Sequence, residues 1–108
     1  MNIVTNDVVK CADAITALEQ VIDPELGLNI VDLGLIYQLD FDEPASKIYL
    51  QMTLTTQFCP MGESITDAVK KVMNKTFNYE ELSLELTFNP AWNSERISAK
   101  GKSFLNKH

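Results

Sequence analysis

Histidine and cysteine are scarce in this sequence, with one of the former and two of the latter among 108 residues. A structural zinc site normally takes four thiolate or imidazole ligands, and Cys11, Cys59 and His108 total three. Four thiolates for a self-contained iron–sulfur cluster are also out of reach within one chain. The histidine is the last residue, where fraying is the rule, so a papain-like Cys–His pair is not expected. No apolar run approaches the roughly 20 residues of a membrane-spanning helix. Met1 to Asp7 lack a basic stretch followed by an apolar core, so no secretory leader is expected and a cytoplasmic location is. There a Cys11–Cys59 disulfide, conceivable on paper, is expected to stay reduced. Cations are few as well: nine basic against fifteen acidic residues give a net charge of −6. Such a chain repels a phosphate backbone, so neither nucleic acid nor a membrane is an expected partner.

What is present reads as an ordinary globular chain. Hydrophobic residues make up 45%, enough apolar surface to exclude a disordered segment. The length suits one domain, residues 1–108. Val8, Cys11, Ile15, Leu18 and Ile22 draw an apolar stripe on a first helix, with Thr5, Asn6 or Asp7 as its cap and Asp23-Pro24 as its stop. Cys11 falls on that stripe and reads as a small core hydrophobe. Leu35, Tyr37, Leu39 and Phe41 alternate with polar residues as a strand. Asp42 to Ser46 is a turn, and Ile48, Leu50, Met52 and Leu54 alternate with Lys47, Tyr49, Gln51 and Thr53 as its hairpin partner. Ile65, Ala68, Val69, Val72 and Met73 mark a second helix. Leu82, Leu84, Leu86 and Phe88 mark a third strand. Asn93 or Ser94 can cap a last helix that carries Ile97, Gly101, Phe104 and Leu105 on one side. The expected fold is α+β: a three-stranded sheet made of a hairpin and a βαβ crossover, in the order α-β-β-α-β-α. The pattern leaves open whether the third strand lies beside the first or the second.

Chemistry concentrates in three places. If Pro60 opens the second helix, Cys59 is its N-cap, where the helix dipole favours a thiolate. On geometry alone a thiol merely packed at that corner is as good a reading. The hydroxyls of Thr55 and Thr56 and the small Gly62 tip the balance toward function. Asp23, Glu25 and Asp32 share a loop too apolar to be a plain connection and too rich in glycine and proline for a helix. Asp23 before Pro24 suits a turn, so Glu25 is the better functional candidate of the two. Trp92, the sole tryptophan, reads first as a lid on the sheet edge and second as a pocket wall or interface anchor. Lys70, Lys71 and Lys75 read as a solvated helix face.

Three blocks taken together carry a resemblance. They run Asp23-Pro24-Glu25-Leu26-Gly27-Leu28-Asn29-Ile30-Val31-Asp32-Leu33-Gly34-Leu35-Ile36-Tyr37, then Met52-Thr53-Leu54-Thr55-Thr56-Gln57-Phe58-Cys59-Pro60, then Asn89-Pro90-Ala91-Trp92. Their order and spacing, from Val21 to about Ser98, resemble the SufT/PaaD-like family of metal–sulfur cluster biosynthesis proteins. Ala91 stands where many relatives have a second proline. The resemblance implies a small domain of the iron–sulfur-assembly type, with Cys59 as the reactive residue and Asp23, Glu25, Thr55 and Thr56 lining its pocket. No P-loop ATPase segment accompanies the blocks, so the ATPase-linked members are not the expected functional model.

The favoured expectation is an accessory factor in iron–sulfur maturation rather than an enzyme. No cofactor is expected to stay bound to the monomer. One thiol cannot hold a cluster, so a transient cluster on Cys59 needs further ligands from a client apoprotein, an assembly scaffold or a second copy in a homodimer. One alternative is a thiol-dependent transferase or hydrolase with Cys59 as nucleophile and Glu25 or Asp23 as base, although the usual histidine base is missing. Another is a pure interaction adaptor, such as a PaaD-like factor maturing a multicomponent oxygenase.

Overall fold

The computed structural model describes residues 3–55 and 62–106 of the chain. The elements are β1 (Val4–Thr5), α1 (Val8–Leu18), β2 (Ile36–Asp42), β3 (Lys47–Met52), α2 (Gly62–Thr76), β4 (Glu81–Leu86), a 3-10 turn (Ser94–Arg96) and α3 (Ala99–Asn106). One mixed sheet runs in the order β1-β2-β3-β4. β2 and β3 form the antiparallel hairpin, and β4 lies parallel to β3 with α2 as the crossover between them. The strand that the pattern leaves unplaced therefore sits beside the second strand of the hairpin.

The sheet has four strands, not the three that the alternation predicts. β1 is only two residues long and pairs parallel with Gln38 and Leu39 of β2. Two residues are too short to show a period of two.

Helices cover one face of this sheet. Leu39, Phe41, Ile48, Leu50 and Met52 meet Cys11, Ala14 and Leu18 of α1 and Ile65, Val69 and Met73 of α2 in one core. The opposite face carries Gln38, Asp40, Tyr49, Gln51, Ser83 and Glu85 toward solvent, the one-sided burial that alternation in antiparallel strands encodes. Burying a leucine or valine side chain contributes roughly 1.5–3 kcal/mol, so this one face dominates the stability of the domain.

Four local expectations are corrected. Helix α1 is turned relative to the stripe that the spacing draws. Val8 is 77% exposed, whereas Ala14 and Ala17 are buried beside Cys11 and Leu18. The small size and weak hydrophobicity of these alanines hide them from a pattern read on large residues. The helix also ends at Leu18, before Asp23-Pro24, because Val21 leaves it to accept a hydrogen bond from the Ile30 amide. At the end of β3 alternation fails. Thr53 and Leu54 are both buried, because the Thr53 amide donates to the Leu35 carbonyl (2.8 Å) outside the β2–β3 ladder. Finally, Asn93 caps the 3-10 turn, not the last helix. Ser98 serves α3, its hydroxyl accepting from the Gly101 amide at 2.9 Å.

Candidate functional site

Strand directions decide where the sequence blocks can meet. β3 and β4 run parallel and β2 runs against them, so the ends of β3 and β4 and the start of β2 share one edge of the sheet. Residues 33–35, 53–55 and 87–92 therefore emerge side by side. This is the carboxyl end of the parallel pair, where open α/β sheets commonly place ligands. The Thr53 amide bonded to the Leu35 carbonyl and the Thr87 amide bonded to the Met52 carbonyl (2.9 Å) tie the three segments together.

The acidic loop is built on backbone geometry. Asp23 is 1% exposed, and its Oδ1 accepts from the amides of Glu25 (2.8 Å) and Leu26 (3.2 Å). Its backbone carbonyl accepts from the Gly27 amide, and Gly27 takes a positive φ of 71°. That is the side-chain-closed turn of an Asx residue. Glu25 beside it is exposed.

Residues 29–35 make one helical turn. The Asn29 side chain caps the Asp32 amide at 2.9 Å. Gly34 at φ 77° ends the turn, with the Gly34 amide on Val31 and the Leu35 amide on Ile30. These are the paired bonds of a Schellman closure, which favours glycine at the left-handed position. Six apolar residues of the loop, Val21, Leu28, Ile30, Val31, Leu33 and Leu35, are buried in the core or beside it, which makes the loop a rigid platform.

The third block is stitched onto that platform. The Trp92 indole donates to the Leu33 carbonyl at 2.6 Å. The Tyr37 hydroxyl donates to the Pro90 carbonyl at 2.9 Å, and the Arg96 guanidinium lies 4.5 Å over the Tyr37 ring. Asp32 is 5% exposed. One of its oxygens accepts from the Ser98 hydroxyl (2.9 Å) and the other from the Asn29 amide group (2.7 Å). Lys100 stands 4.0 Å from Asp32. A buried carboxylate with two such partners has its desolvation offset and acts as a brace between loop and C-terminal segment.

The structure thus joins Asp32 and Trp92 and sets Thr55, half-buried, two residues beyond the Thr53–Leu35 bond at the same edge. No hydrogen bond among the described residues links Asp23 or Glu25 to Thr55 or Trp92. Thr56, Cys59 and the N-cap expected of Cys59 before Pro60 lie outside the described residues. Lys70, Lys71 and Lys75 are exposed on α2. Cys11 is a buried free thiol. Burial pushes its pKa up, the Thr5 hydroxyl opposes that shift, and the Asp7 carboxylate adds to it. Among the described residues, no group of three or more His, Cys, Asp or Glu side chains could hold a metal ion.

Sequence reasoning misses Asn29, Tyr37, Arg96 and Ser98. Two carried a usable signal: Asn29 stands three residues before Asp32 and Ser98 three before Gly101, the spacing of an N-cap. Tyr37 and Arg96 meet only through the tertiary fold.

Residues 12–78 match the family model described as iron–sulfur cluster assembly protein. The chain belongs to that family. It is 41% identical over 89 residues to the Fe-S protein maturation auxiliary factor YitW of Bacillus subtilis, covering 82% of this chain and 86% of that protein. The Fe-S protein maturation auxiliary factor SufT of Staphylococcus aureus is 38% identical, over 79% of this chain and 96% of its own. A crystal structure of a domain of unknown function, DUF59, from Bacillus anthracis superposes with a TM-score of 0.83 at 38% identity, covering 90% of this chain and 92% of that one. The SufT-like family resemblance carried by the three sequence blocks is therefore correct. Among the described residues no helix is long and apolar enough to cross a membrane.

Proposed function

We propose that this family member is an accessory factor in iron–sulfur protein maturation, working through the carboxyl end of β3 and β4. The supporting observation is the convergence there of residues 33–35, Thr55 and Trp92, at the point where the chain enters the segment that carries Cys59. In this reading the cluster is cargo. Cys59 supplies one thiolate or a transient sulfur contact, and a client apoprotein, a scaffold or a second copy supplies the other ligands. Thr55 and Thr56 offer hydroxyl donors to the sulfur atoms, and Asp32 and Trp92 keep the platform rigid without touching the cargo. Asp23 shapes the loop, which leaves Glu25 as the carboxylate able to reach a partner.

The test is anaerobic transfer. Protein reconstituted with iron and sulfide is mixed with a cluster-free ferredoxin-type client, and client absorption is followed. The expected result is transfer by the wild type and its loss in Cys59→Ser. Equal transfer by both proteins removes the thiol from the mechanism. A Trp92→Phe variant that transfers normally would separate the platform from the chemistry.

A further inference from the structure

The sheet has two unequal edges. β1 covers one side with two residues, whereas β4 forms the other with six, Glu81–Leu86. The Glu81 amide donates to the Ser46 carbonyl and the Thr87 amide to the Met52 carbonyl, so the odd-numbered residues of β4 are bonded inward to β3. By alternation the backbone N–H and C=O groups of Leu82, Leu84 and Leu86 point outward, and no described residue pairs with them. A free edge of this length is a template for another strand, and proteins normally blunt such edges.

The side chains flanking the edge say what fits. On the open face Glu81, Ser83 and Glu85 are exposed. On the helix face a shallow cavity of about 280 Å³ lies between Lys70, Lys71 and Asn74 of α2 and the Tyr79 and Leu82 side chains. Pairing of β4 with a second copy, antiparallel about Ser83, would set Glu81 against Glu85 twice, and like charges directly opposite are destabilising. We propose that the outer edge of β4 takes up an extended segment of a partner protein with the pattern basic–apolar–any–apolar–basic. The two basic side chains pair with Glu81 and Glu85, and the two apolar ones cover Leu82 and Leu84. The main chain bonds to the free groups of β4, as in strand addition to other sheet edges. The surface lies on the side of the sheet away from β1.

A fluorescein-labelled peptide, Ser-Lys-Val-Thr-Val-Lys-Ser, tests this by anisotropy with the full chain. Binding is expected, at least tenfold tighter than for the analogue with glutamates in place of the lysines. A Glu81→Lys/Glu85→Lys double variant is expected to reverse that order. Because that variant also loses the Lys47–Glu81 ion pair and the Tyr49 and Gln51 hydrogen bonds to Glu85, a second measurement uses the wild type alone. Saturating peptide slows hydrogen exchange at the Leu82, Leu84 and Leu86 amides, and N-methylation of one alternate set of peptide residues abolishes binding while the other set tolerates it. Cys59→Ser binds the peptide like the wild type, so failure of the cluster reading leaves this result intact. Equal affinity for the acidic analogue, unprotected β4 amides, or amides already protected in a β4–β4 dimer overturns the proposal.

Discussion

Gly34 is the hinge on which the candidate site is assembled, and its replacement by alanine isolates one term of that assembly. Its φ is 77°, a conformation that costs an L-residue roughly 1–2 kcal/mol. A Cβ built there would lie 2.5 Å from the Arg96 carbonyl oxygen and 2.8 Å from the Arg96 Cβ. Neither neighbour is the far end of a flexible chain, so residues 92–98 must move, and overpacking of this kind costs typically about 1–3 kcal/mol more. Gly27 supplies the control. It has φ 71° and nothing within 4 Å of a Cβ, so alanine there carries the backbone cost alone. Gly34→Ala should therefore lose about 2–5 kcal/mol and Gly27→Ala about 1–2 kcal/mol. At about 4 °C per kcal/mol for a domain of this size, the melting temperatures should separate by roughly 4–12 °C. Urea unfolding followed by circular dichroism measures the difference. Fluorescence of Trp92, the sole tryptophan, should also change in folded Gly34→Ala, because moving Arg96 disturbs the indole bond to the Leu33 carbonyl. Equal losses at the two glycines, with unchanged Trp92 emission, would refute the close approach of the third block to the loop.

Other outcomes follow from the same contacts. Asp32→Ala strands the Asn29 amide group and the Ser98 hydroxyl, and a cost of about 2–4 kcal/mol in urea unfolding is expected, against less than half of that for Ser98→Ala. Folded protein should alkylate slowly at Cys11, and mass mapping after iodoacetamide reads this. Because the Cys11 pKa is raised in the fold, its contribution to stability is present below the ordinary thiol value and is lost as pH rises through the raised one. Glu85 accepts hydrogen bonds from Gln51 and Tyr49, which hold its pKa below the usual carboxylate range. Whatever stability this gives is present above the ordinary carboxylate pKa and falls away as pH drops through the lowered value. Tyr49→Phe should move the Glu85 titration upward in a carboxyl-detected NMR series, and an unmoved midpoint would refute the bond.

Much of this protein is legible from residue order because its local patterns and its fold agree. Periodicity locates α2 and the hairpin, since Ile65, Val69 and Met73 and the alternating residues of β2 and β3 each bury one face against the same core. The three blocks carry the resemblance to the family, and residues 12–78 match its model. The two-residue β1, the alanine face of α1 and the crossing at Thr53 are not legible. Each depends on what packs against it, and a short or small-residue segment leaves no period to read. The candidate site divides in the same way. Sequence marks Asp23, Asp32, Thr55, Cys59 and Trp92 as unusual and reads Asp23, before Pro24, as a turn residue, which its bonds to the Glu25 and Leu26 amides bear out. It carries no sign that Asp32 braces a distant segment, because Ser98 reaches it only through the fold. Arg96 over Tyr37 and the indole on the Leu33 carbonyl exist only because a parallel β4 returns residues 87–98 to the edge where β2 begins. The scarcity of histidine and cysteine, a fact of composition, bounds the ligands that one chain can offer. Which side chains share an edge is a matter of strand direction, and that is decided by burial across the whole sheet.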